Sequence, residues 1–363
     1  MTRVLLSGYY GFGNLGDEAL LEVIVAAMRR RFPSARLEVL SATPKTTAAK
    51  HGVEATSRWD WREVRSAIGR CDVVLSGGGG LLQTATSIRS LLYYAGIIRE
   101  GIRRRRKTMI FAQSIGPLDL WGRLAVRQFC GGVDRATVRD ERSRALLRSI
   151  LSATPVERTA DPVFLYDAPD DAVDLAGEGL AAGRGRYAVV SIRKSSGFRD
   201  GAAVVARAVD RLASRYDTTA TFLPLGGAGD AAASTDAIRI CSSHPMLLPE
   251  PTLQRAAAII RNAGVVIAMR LHALILAARY AVPFLALAYD PKVAALCEEL
   301  EYPLPPLESS RGARLADQLI DESVDRLVRD RTALSEHLAS RLERVRAAAE
   351  RNFDVLGELI AQE

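Results

Sequence analysis

Short apolar runs rich in β-branched residues alternate with longer stretches of helical periodicity along the first half of the chain. The runs that predict strands in this half cover residues 4–7, 37–41, 73–76, 109–113 and 136–139. Such alternation is typical of a parallel sheet that is covered by helices on both faces. The first half therefore predicts a Rossmann-like α/β domain.

The same rhythm restarts after a looser stretch, residues 167–185, that is rich in Asp, Ala and Gly. Further strands are predicted over residues 187–192, 221–225, 265–269 and 283–288. From residue 315 the pattern is charged, Ala-rich and helical, which predicts one or two long surface helices that complete the second domain or cross back to the first. The predicted organisation is an N-terminal Rossmann-like domain over residues 1–170, a C-terminal one over residues 171–330 and a C-terminal helix over residues 331–363.

Composition agrees with this division and excludes several other classes of protein. A chain of 363 residues with 48% hydrophobic and 25% charged residues has the composition of a globular protein rather than a disordered one. Arg270 and Arg279 interrupt the most apolar segment, so no stretch is long enough to span a membrane. The N-terminus has no room for the apolar core of a signal peptide. We expect a soluble, cytoplasmic protein.

Cysteine spacing and net charge indicate which kinds of site and partner to expect. The four cysteines have no CxxC spacing, which predicts unpaired buried thiols and neither a zinc site nor a disulfide framework. The formal net charge of +7 favours anionic substrates, phosphate groups or an anionic membrane surface. Charge alone does not choose among these partners.

Ligands of open parallel sheets bind beyond the carboxyl ends of the strands, and the first such loop is rich in glycine. Its glycines fit the GxGxxG pattern of dinucleotide sites and are Gly11, Gly13 and Gly16. Asp17 and Glu18 fall in the first turn of the following helix, where they would repel a pyrophosphate. A hydroxyl-bearing ligand suits this loop better, and a tight turn that only lets strand and helix pack is the alternative.

Two further loops of the first domain carry candidate residues. Four glycines, residues 77–80, follow the third predicted strand and indicate that a ligand or the neighbouring loop approaches this backbone closely. Arg139 ends the fifth predicted strand, where it would point towards the second domain. A solvated Arg–Asp pair is the alternative explanation for Arg139.

Cations end several strands of the second domain and predict a site for an anion. They are Arg193, Arg270 with His272 two residues later, and Lys292. Four cations at the strand ends of one sheet form a plausible clamp for phosphate and carboxylate groups. The other three histidines, His51, His244 and His337, have polar neighbours in the sequence and are predicted to lie on the surface.

Six motifs together resemble the polysaccharide pyruvyl transferase family, and most closely its S-layer-related, cell-surface-anchoring bacterial branch. They are GYYGFGNLGDEA, SGGGGLLQ, QSIGP, VRDERS, ADPVF and MRLHALILAA, within residues 4–292. The resemblance implies two Rossmann-like domains that face a cleft, similar to glycosyltransferase type B. It implies phosphoenolpyruvate as donor and, as acceptor, a sugar of a lipid-linked cell-wall polysaccharide, often N-acetylmannosamine. The product would be a cyclic pyruvate ketal that S-layer-homology domains bind.

The resemblance matches family positions to Asp17, Arg139, Arg270, Leu271, His272 and Lys292. From the chemistry of the transfer, Asp17 is expected to act as general base towards the acceptor, and His272 to bind or protonate the phosphate or donate to the enol. Arg139 is the third residue expected to be catalytic. The residues expected to bind phosphoenolpyruvate are Arg193, Arg270, Leu271, His272 and Lys292. The residues expected to bind the acceptor are Gly11, Gly13, Asn14, Gly78, Gly79 and Gln83. No metal or cofactor is expected, and the chain differs from the common family pattern after Gln83 and at Ala112-Gln113-Ser114.

Alternatives remain open at this stage. A basic run, residues 103–107, predicts either a cationic helix end or a contact with anionic lipid head groups or the acceptor's pyrophosphate at the inner face of the membrane. A glycosyltransferase that uses a nucleotide sugar would share the fold and could use Glu298 or Glu299 to hold a ribose. A non-catalytic glycan-binding protein is the third possibility.

Overall fold

The chain divides into two units, which the computed structural model describes over residues 1–85, 87–169, 174–180, 185–195, 200–308 and 315–362. The first unit comprises Met1–Tyr166 and Arg346–Glu363, and the second comprises Asp167–Val345. Part of the loose stretch predicted over residues 167–185 lies outside the described residues.

Seven parallel strands form the sheet of the first unit, in the order β3-β2-β1-β4-β5-β6-β7. The strands are β1 (Arg3–Ser7), β2 (Arg36–Ser41), β3 (Glu54–Ser57), β4 (Val73–Gly79), β5 (Lys107–Gln113), β6 (Arg135–Val138) and β7 (Val156–Arg158). The direction of winding reverses between the neighbouring strands β1 and β4. In open α/β sheets this switch point is where ligands bind.

Helices cover both faces of this sheet. They are α1 (Leu15–Arg31), α2 (Pro44–His51), α3 (Trp61–Arg70), α4 (Ile88–Arg103), α5 (Leu120–Cys130) and α6 (Glu141–Ile150), followed by a 3-10 turn over Pro162–Leu165. Residues of α1 share one apolar core with β1, β2, β4 and β5, and residues of α4, α5 and α6 share another on the opposite face. Side chains at positions 14, 60, 87, 119 and 140 cap five of these helices, which explains where each begins.

The second unit repeats this architecture with strands in the order β10-β9-β8-β11-β12-β13, all parallel. The strands are β8 (Tyr187–Ser191), β9 (Thr219–Phe222), β10 (Met246–Leu247), β11 (Val265–Ala268), β12 (Phe284–Ala288) and β13 (Leu307–Glu308). The helices are α7 (Gly201–Tyr216), α8 (Ala228–Ile238), α9 (Leu253–Asn262), α10 (Leu271–Arg279), α11 (Pro291–Glu299) and α12 (Asp317–Arg329). Its switch point lies between β8 and β11.

The last helix, α13 (Arg331–Ala361), contributes residues to both units. Its C-terminal part is buried in the first unit, where the Phe353 ring lies 5.2 Å from that of Phe111 and Asn352 Nδ2 donates a hydrogen bond of 2.9 Å to the carbonyl of Ala160. The predicted crossing back to the first domain is therefore confirmed, but one side of this part of the helix is buried rather than on the surface. Ala349, Phe353 and Leu356 follow helical spacing, and the charged residues between them hid this apolar stripe.

Two predictions from composition can be compared with the structure. All four cysteines are free and buried, as predicted. Burial raises the pKa of the Cys71 and Cys130 thiols to about 12, so both stay protonated. None of the helices in the described ranges is long and apolar enough to cross a bilayer.

Candidate active site

The loop between β1 and α1 is held in shape by the acidic first turn of α1. Asn14 caps α1 by accepting a hydrogen bond of 3.1 Å from the Gly16 amide, and Glu18 Oε1 accepts one of 2.8 Å from the Gly11 amide. Gly11 has a φ of +79°, and a Cβ there would collide with the Ser41 side chain. The predicted helix start at this loop is confirmed, and Glu18 is part of the loop's own framework.

His51 completes this framework. Its side chain is buried, which shows that its predicted surface position is wrong, and its Nε2 lies 4.0 Å from Glu18 Oε2. Burial by itself would raise the pKa of Glu18, but the nearby His51 side chain and the hydrogen bond from the Gly11 amide bring it below its ordinary value. Glu18 is therefore ionised near neutral pH.

Asp17 lies at the switch point of the first unit. Its Oδ1 is 3.0 Å from the place where a Cβ on Gly79, the last residue of β4, would sit. A Cβ on Gly78, at a φ of +56°, would lie 2.9 Å from Leu20 Cδ1 of α1. Gly78 and Gly79 are buried, whereas Gly13 is exposed and a Cβ on it would have no atom within 4 Å. The close packing of α1 on β4 thus explains Gly78 and Gly79, while Gly13 leaves backbone open to a ligand.

Arg58 contacts the loop between β1 and α1, and it was not among the residues predicted from the sequence. Its buried guanidinium donates from Nη1 to the Gly8 carbonyl at 3.1 Å and to the Tyr94 hydroxyl at 2.9 Å. It lies 4.8 Å from the centre of the Phe12 ring and 4.5 Å from that of Tyr93. Arg58 therefore ties the glycine loop to α4. It follows β3, which the apolar pattern did not predict, so nothing in the sequence placed it at this edge.

Arg139 is buried in a polar network at the end of β6. It forms an ion pair with Asp161, and its Nε donates to Ser114 Oγ at 2.7 Å. Ser114 and Ser143 in turn donate to Asp140 Oδ2, at 3.0 and 2.7 Å. The Arg139 and Asp161 side chains are only 6% and 3% exposed. The partner of Arg139 is thus a buried aspartate rather than a solvated one, and this placement suits a positioning role.

In the second unit, Arg270 follows β11 and pairs with a carboxylate from the first turn of α8. Its Nε donates to Asp230 Oδ2 at 2.6 Å, and its Nη2 bonds the other oxygen of the same carboxylate. Asp230 is 2% exposed, and a Cβ on Gly226 would collide with the Arg270 guanidinium. Asp230 thus balances the Arg270 charge and fixes the plane of its guanidinium.

The segment that carries Asp230 was not predicted from the sequence either. Its sequence is Gly-Gly-Ala-Gly-Asp over residues 226–230, which runs from the loop after β9 into the first turn of α8, and Gly227 has a φ of +71°. A glycine-rich turn between a strand and a helix is a signal that could have found it.

His272 and Leu271 occupy the first turn of α10. Arg270 is the N-cap residue of this helix, Leu271 is buried and His272 is half-buried. The first amides of a helix point beyond its N-terminus and favour an anion there. The predicted position of His272, at a strand end and helix start, is confirmed.

Tyr289 lies close to the two remaining predicted cations, Arg193 and Lys292. Its hydroxyl accepts a hydrogen bond of 3.3 Å from Arg193 Nη1, and its ring centre is 5.3 Å from the Arg193 guanidinium and 6.0 Å from Lys292 Nζ. Lys292 Nζ also lies 3.3 Å from Asp290, which caps α11. The loops after β8 and β12 thus meet through these side chains, and Tyr289 is a further residue that the prediction lacked.

Two other candidate features can be located. Glu298 and Glu299 lie at the C-terminal end of α11, away from the carboxyl end of β12 from which this helix starts, so their placement does not favour a ribose contact at that edge. Across the described residues, no group of three or more His, Cys, Asp or Glu side chains could hold a metal ion.

Comparison with known proteins identifies both a family and a fold. The profile of the family described as polysaccharide pyruvyl transferase matches residues 14–291. S. aureus MnaA, in a co-structure with UDP, is similar with a TM-score of 0.70 at 12% identity, over 100% of this chain and 99% of that one. UDP-GlcNAc 2-epimerase from Neisseria meningitidis, bound to UDP-GlcNAc, has a TM-score of 0.64 at 12% identity, over 99% and 100% of the two chains.

A plant protein has the same fold. UGT2 from Phytolacca americana, complexed with UDP-2fluoro-glucose and pterostilbene, gives a TM-score of 0.64 at 11% identity over 100% of both chains. At such low identity the likeness shows the fold alone, and it confirms the predicted α/β fold class similar to glycosyltransferase type B. No curated protein matches the chain by sequence.

Proposed function

The chain belongs to the polysaccharide pyruvyl transferase family, and from this premise we propose that it transfers the pyruvyl group of phosphoenolpyruvate to a sugar. The acceptor is a sugar of a lipid-linked cell-wall polysaccharide, with N-acetylmannosamine as the first candidate and S-layer anchoring as the purpose of the product. The enzyme works in the cytoplasm, at the inner face of the membrane. The observation that carries the proposal is the gathering of Arg193, Lys292 and the first turn of α10 at the strand ends of one sheet.

The chemistry requires an acid, a base and a site for a phosphate and a carboxylate. Protonation of the methylene carbon of phosphoenolpyruvate makes the neighbouring carbon an oxocarbenium-like electrophile, which one sugar hydroxyl attacks. A second hydroxyl of the same sugar then displaces phosphate and closes the cyclic ketal. Both hydroxyls lose a proton: one proton enters the methyl group, and the other leaves with phosphate, the second product.

In the second unit, fixed positive groups hold the donor. Arg193 and Lys292, brought together on Tyr289, provide side-chain cations, and the amides at the start of α10 add backbone donors. Because the buried Asp230 bonds Arg270 through both oxygens, whereas the partly exposed Asp290 lies 3.3 Å from Lys292 Nζ, we assign Arg270 to orientation of the donor rather than to net charge compensation. His272 is the proton donor to the leaving phosphate or the enol. Such preorganised charges stabilise the transition state without rearrangement during the reaction.

In the first unit, the acceptor binds at the switch point between β1 and β4. Asp17 is the general base for the sugar hydroxyl, Gly13 and Asn14 offer open backbone and an amide side chain, and Gln83 borders the same edge. Asp17 is the carboxylate of this turn that we assign to the reaction, because it lies beside Gly79 at the carboxyl end of β4.

Ligand-dependent stability of the full chain tests the donor class. A ligand at a hundred times its Kd stabilises a protein by about 2.7 kcal/mol, so phosphoenolpyruvate should raise the melting temperature and UDP should not. Release of phosphate from phosphoenolpyruvate should then require an acceptor that contains N-acetylmannosamine. Stabilisation by UDP alone would contradict the proposal and favour a nucleotide-sugar glycosyltransferase. A lack of response to both ligands would favour a non-catalytic glycan-binding protein.

Loss of one cation of the Tyr289 cluster should weaken donor binding. Arg193→Gln removes a charged donor that, bonded to an anion, contributes about 1.5 kcal/mol or more, so the Kd for phosphoenolpyruvate should rise roughly tenfold. Titration calorimetry without acceptor measures this change. Lys194→Gln is the matched control, because Lys194 is the next residue and is exposed. Equal Kd values for both variants and the wild type would exclude Arg193 from the donor site.

A further inference from the structure

All three tryptophans of the chain are exposed in the first unit. Trp59, Trp61 and Trp121 are 69%, 42% and 75% exposed. Four large aliphatic side chains of α4 and α5 are exposed as well: Ile88, Leu92, Leu120 and Leu124. Monomeric soluble proteins rarely present so much apolar surface in one region without a partner for it.

These apolar side chains lie at the edge of the sheet that carries Asp17. Helices α4 and α5 begin where β4 and β5 end, and hydrogen bonds join the segments that precede them. Thr84 Oγ1 donates to the Pro117 carbonyl at 3.1 Å and accepts from the Asp119 amide at 3.2 Å. The N-terminal turns of the two helices are therefore neighbours. We refer to the surface formed by Ile88, Leu92, Leu120, Trp121 and Leu124 as the apolar face.

Most of the charges around the apolar face are positive. The exposed arginines beside it are Arg89, Arg123 and Arg127, whereas Arg99 and Arg103 lie towards the other end of α4. The acidic side chain of α4, Glu100, is buried and bonded to Arg65 and Arg104. Asp119, ahead of α5, caps that helix by accepting from the Gly122 amide at 2.7 Å. Exposed leucine and tryptophan beside arginine is the composition of helices that lie in the interface of an anionic bilayer.

The basic run over residues 103–107 lies at the other end of α4. Arg106 donates to the Gly69 carbonyl at 2.7 Å, and Lys107 Nζ donates to the Ile360 carbonyl at 3.1 Å. Arg104 bonds Glu100 on its own helix. These contacts hold loop and helix ends together at the edge of the sheet where β5 starts. Asp17 lies at the opposite edge. The run therefore offers less to a membrane than its sequence implied.

We propose that the apolar face, with Arg89, Arg123 and Arg127, docks the enzyme on an anionic bilayer. Trp121, Leu120 and Leu124 enter the head-group region, and the arginines bind lipid phosphates. This orientation turns the edge that bears Asp17 towards the lipid surface, where a lipid-linked acceptor would be presented. The inference rests on the proposed function for the identity of the acceptor, but the docking itself requires no catalysis.

Vesicle flotation of the full chain, without any substrate, tests the surface. The wild type should float with phosphatidylcholine vesicles that contain 25% phosphatidylglycerol and bind pure phosphatidylcholine far more weakly. Leu120→Ser/Trp121→Ser/Leu124→Ser should lower the partition coefficient about 100-fold. Arg123→Gln/Arg127→Gln should lower it about tenfold and weaken its dependence on salt.

Arg103→Gln/Arg105→Gln is the matched control, because it removes two exposed arginines from the opposite end of α4. It should keep nearly wild-type flotation, and circular dichroism should show that all variants are folded. Equal flotation of the triple serine variant and the wild type, or a loss confined to the control variant, would overturn the proposal. So would a wild-type dimer that does not float and that the triple variant dissociates.

Activity on a short, water-soluble acceptor separates this inference from the proposed function. The triple serine variant should keep the wild-type rate there and lose activity only on acceptors embedded in vesicles. Flotation without any release of phosphate from phosphoenolpyruvate would disprove the proposed function and leave the docking surface intact.

Discussion

Asp17→Asn should lower kcat for phosphate release by about 10² to 10⁴, the usual contribution of a general base. Asparagine keeps the size of the side chain and its place beside Gly79, but it cannot take the proton of a sugar hydroxyl. The donor is assigned to the second unit, so the Kd for phosphoenolpyruvate should stay within about twofold of the wild type. Steady-state kinetics at saturating donor and acceptor, with calorimetry for the donor alone, measure the two effects separately.

Glu22→Gln supplies the control for Asp17. Glu22 is another half-buried carboxylate of α1 and lies five residues further along the helix. Its loss should leave kcat unchanged. Full activity of Asp17→Asn would remove Asp17 from the base role, and an equal loss in both variants would assign the effect to the charge of α1.

The central strands were predictable because each lies between two neighbours and is buried. The strands that the apolar pattern did not predict are the four edge strands of the two sheets: β3, β7, β10 and β13. Edge strands pair on one side only and need fewer apolar residues. All residues of β3, for instance, are exposed or partly exposed. Hydrophobic periodicity reports burial, so it does not detect a strand that is barely buried.

The edge of the sheet at which the candidate residues lie was predictable from the sequence, but their hydrogen-bond and ion-pair partners were not. Parallel strands place all their carboxyl ends at one edge, so Arg193, His272 and Lys292 could be assigned to one edge from the sequence. The partner of Arg270 could not, because Asp230 lies 40 residues earlier, in the first turn of α8. Which residues of one edge touch depends on the packing of loops, and that packing leaves no periodic signal.

Ala112 shows a second limit. The φ of Ala112 is +48°, a conformation that glycine adopts without strain. The residue lies at a register shift between β5 and β6, and its amide donates to Thr137 Oγ1 at 2.9 Å. The conformation follows from this irregular pairing and not from the preference of alanine. A single sequence therefore does not reveal it.

Variants of the Arg139–Asp161 ion pair distinguish two roles of Arg139, a positioning role and a catalytic one. Arg139→Met would break the buried ion pair with Asp161, and removing one partner of a buried pair typically costs about 3 to 5 kcal/mol. The free energy of unfolding in urea should fall by that amount. Tryptophan fluorescence follows the transition of the first unit, since all three tryptophans lie there.

A double variant decides the role of Arg139. In Arg139→Met/Asp161→Asn the buried charge is gone, and the asparagine oxygen can still accept the 2.9 Å hydrogen bond from the Val163 amide. Most of the lost stability should return, because a buried pair replaced as a whole costs little. If Arg139 only positions the loop network through Ser114, the double variant should keep kcat within about tenfold of the wild type, well short of the loss of a general acid or base. Restored stability with a loss of kcat beyond about 10³ would instead make Arg139 a catalytic residue, because its effect would then not follow the stability of the fold.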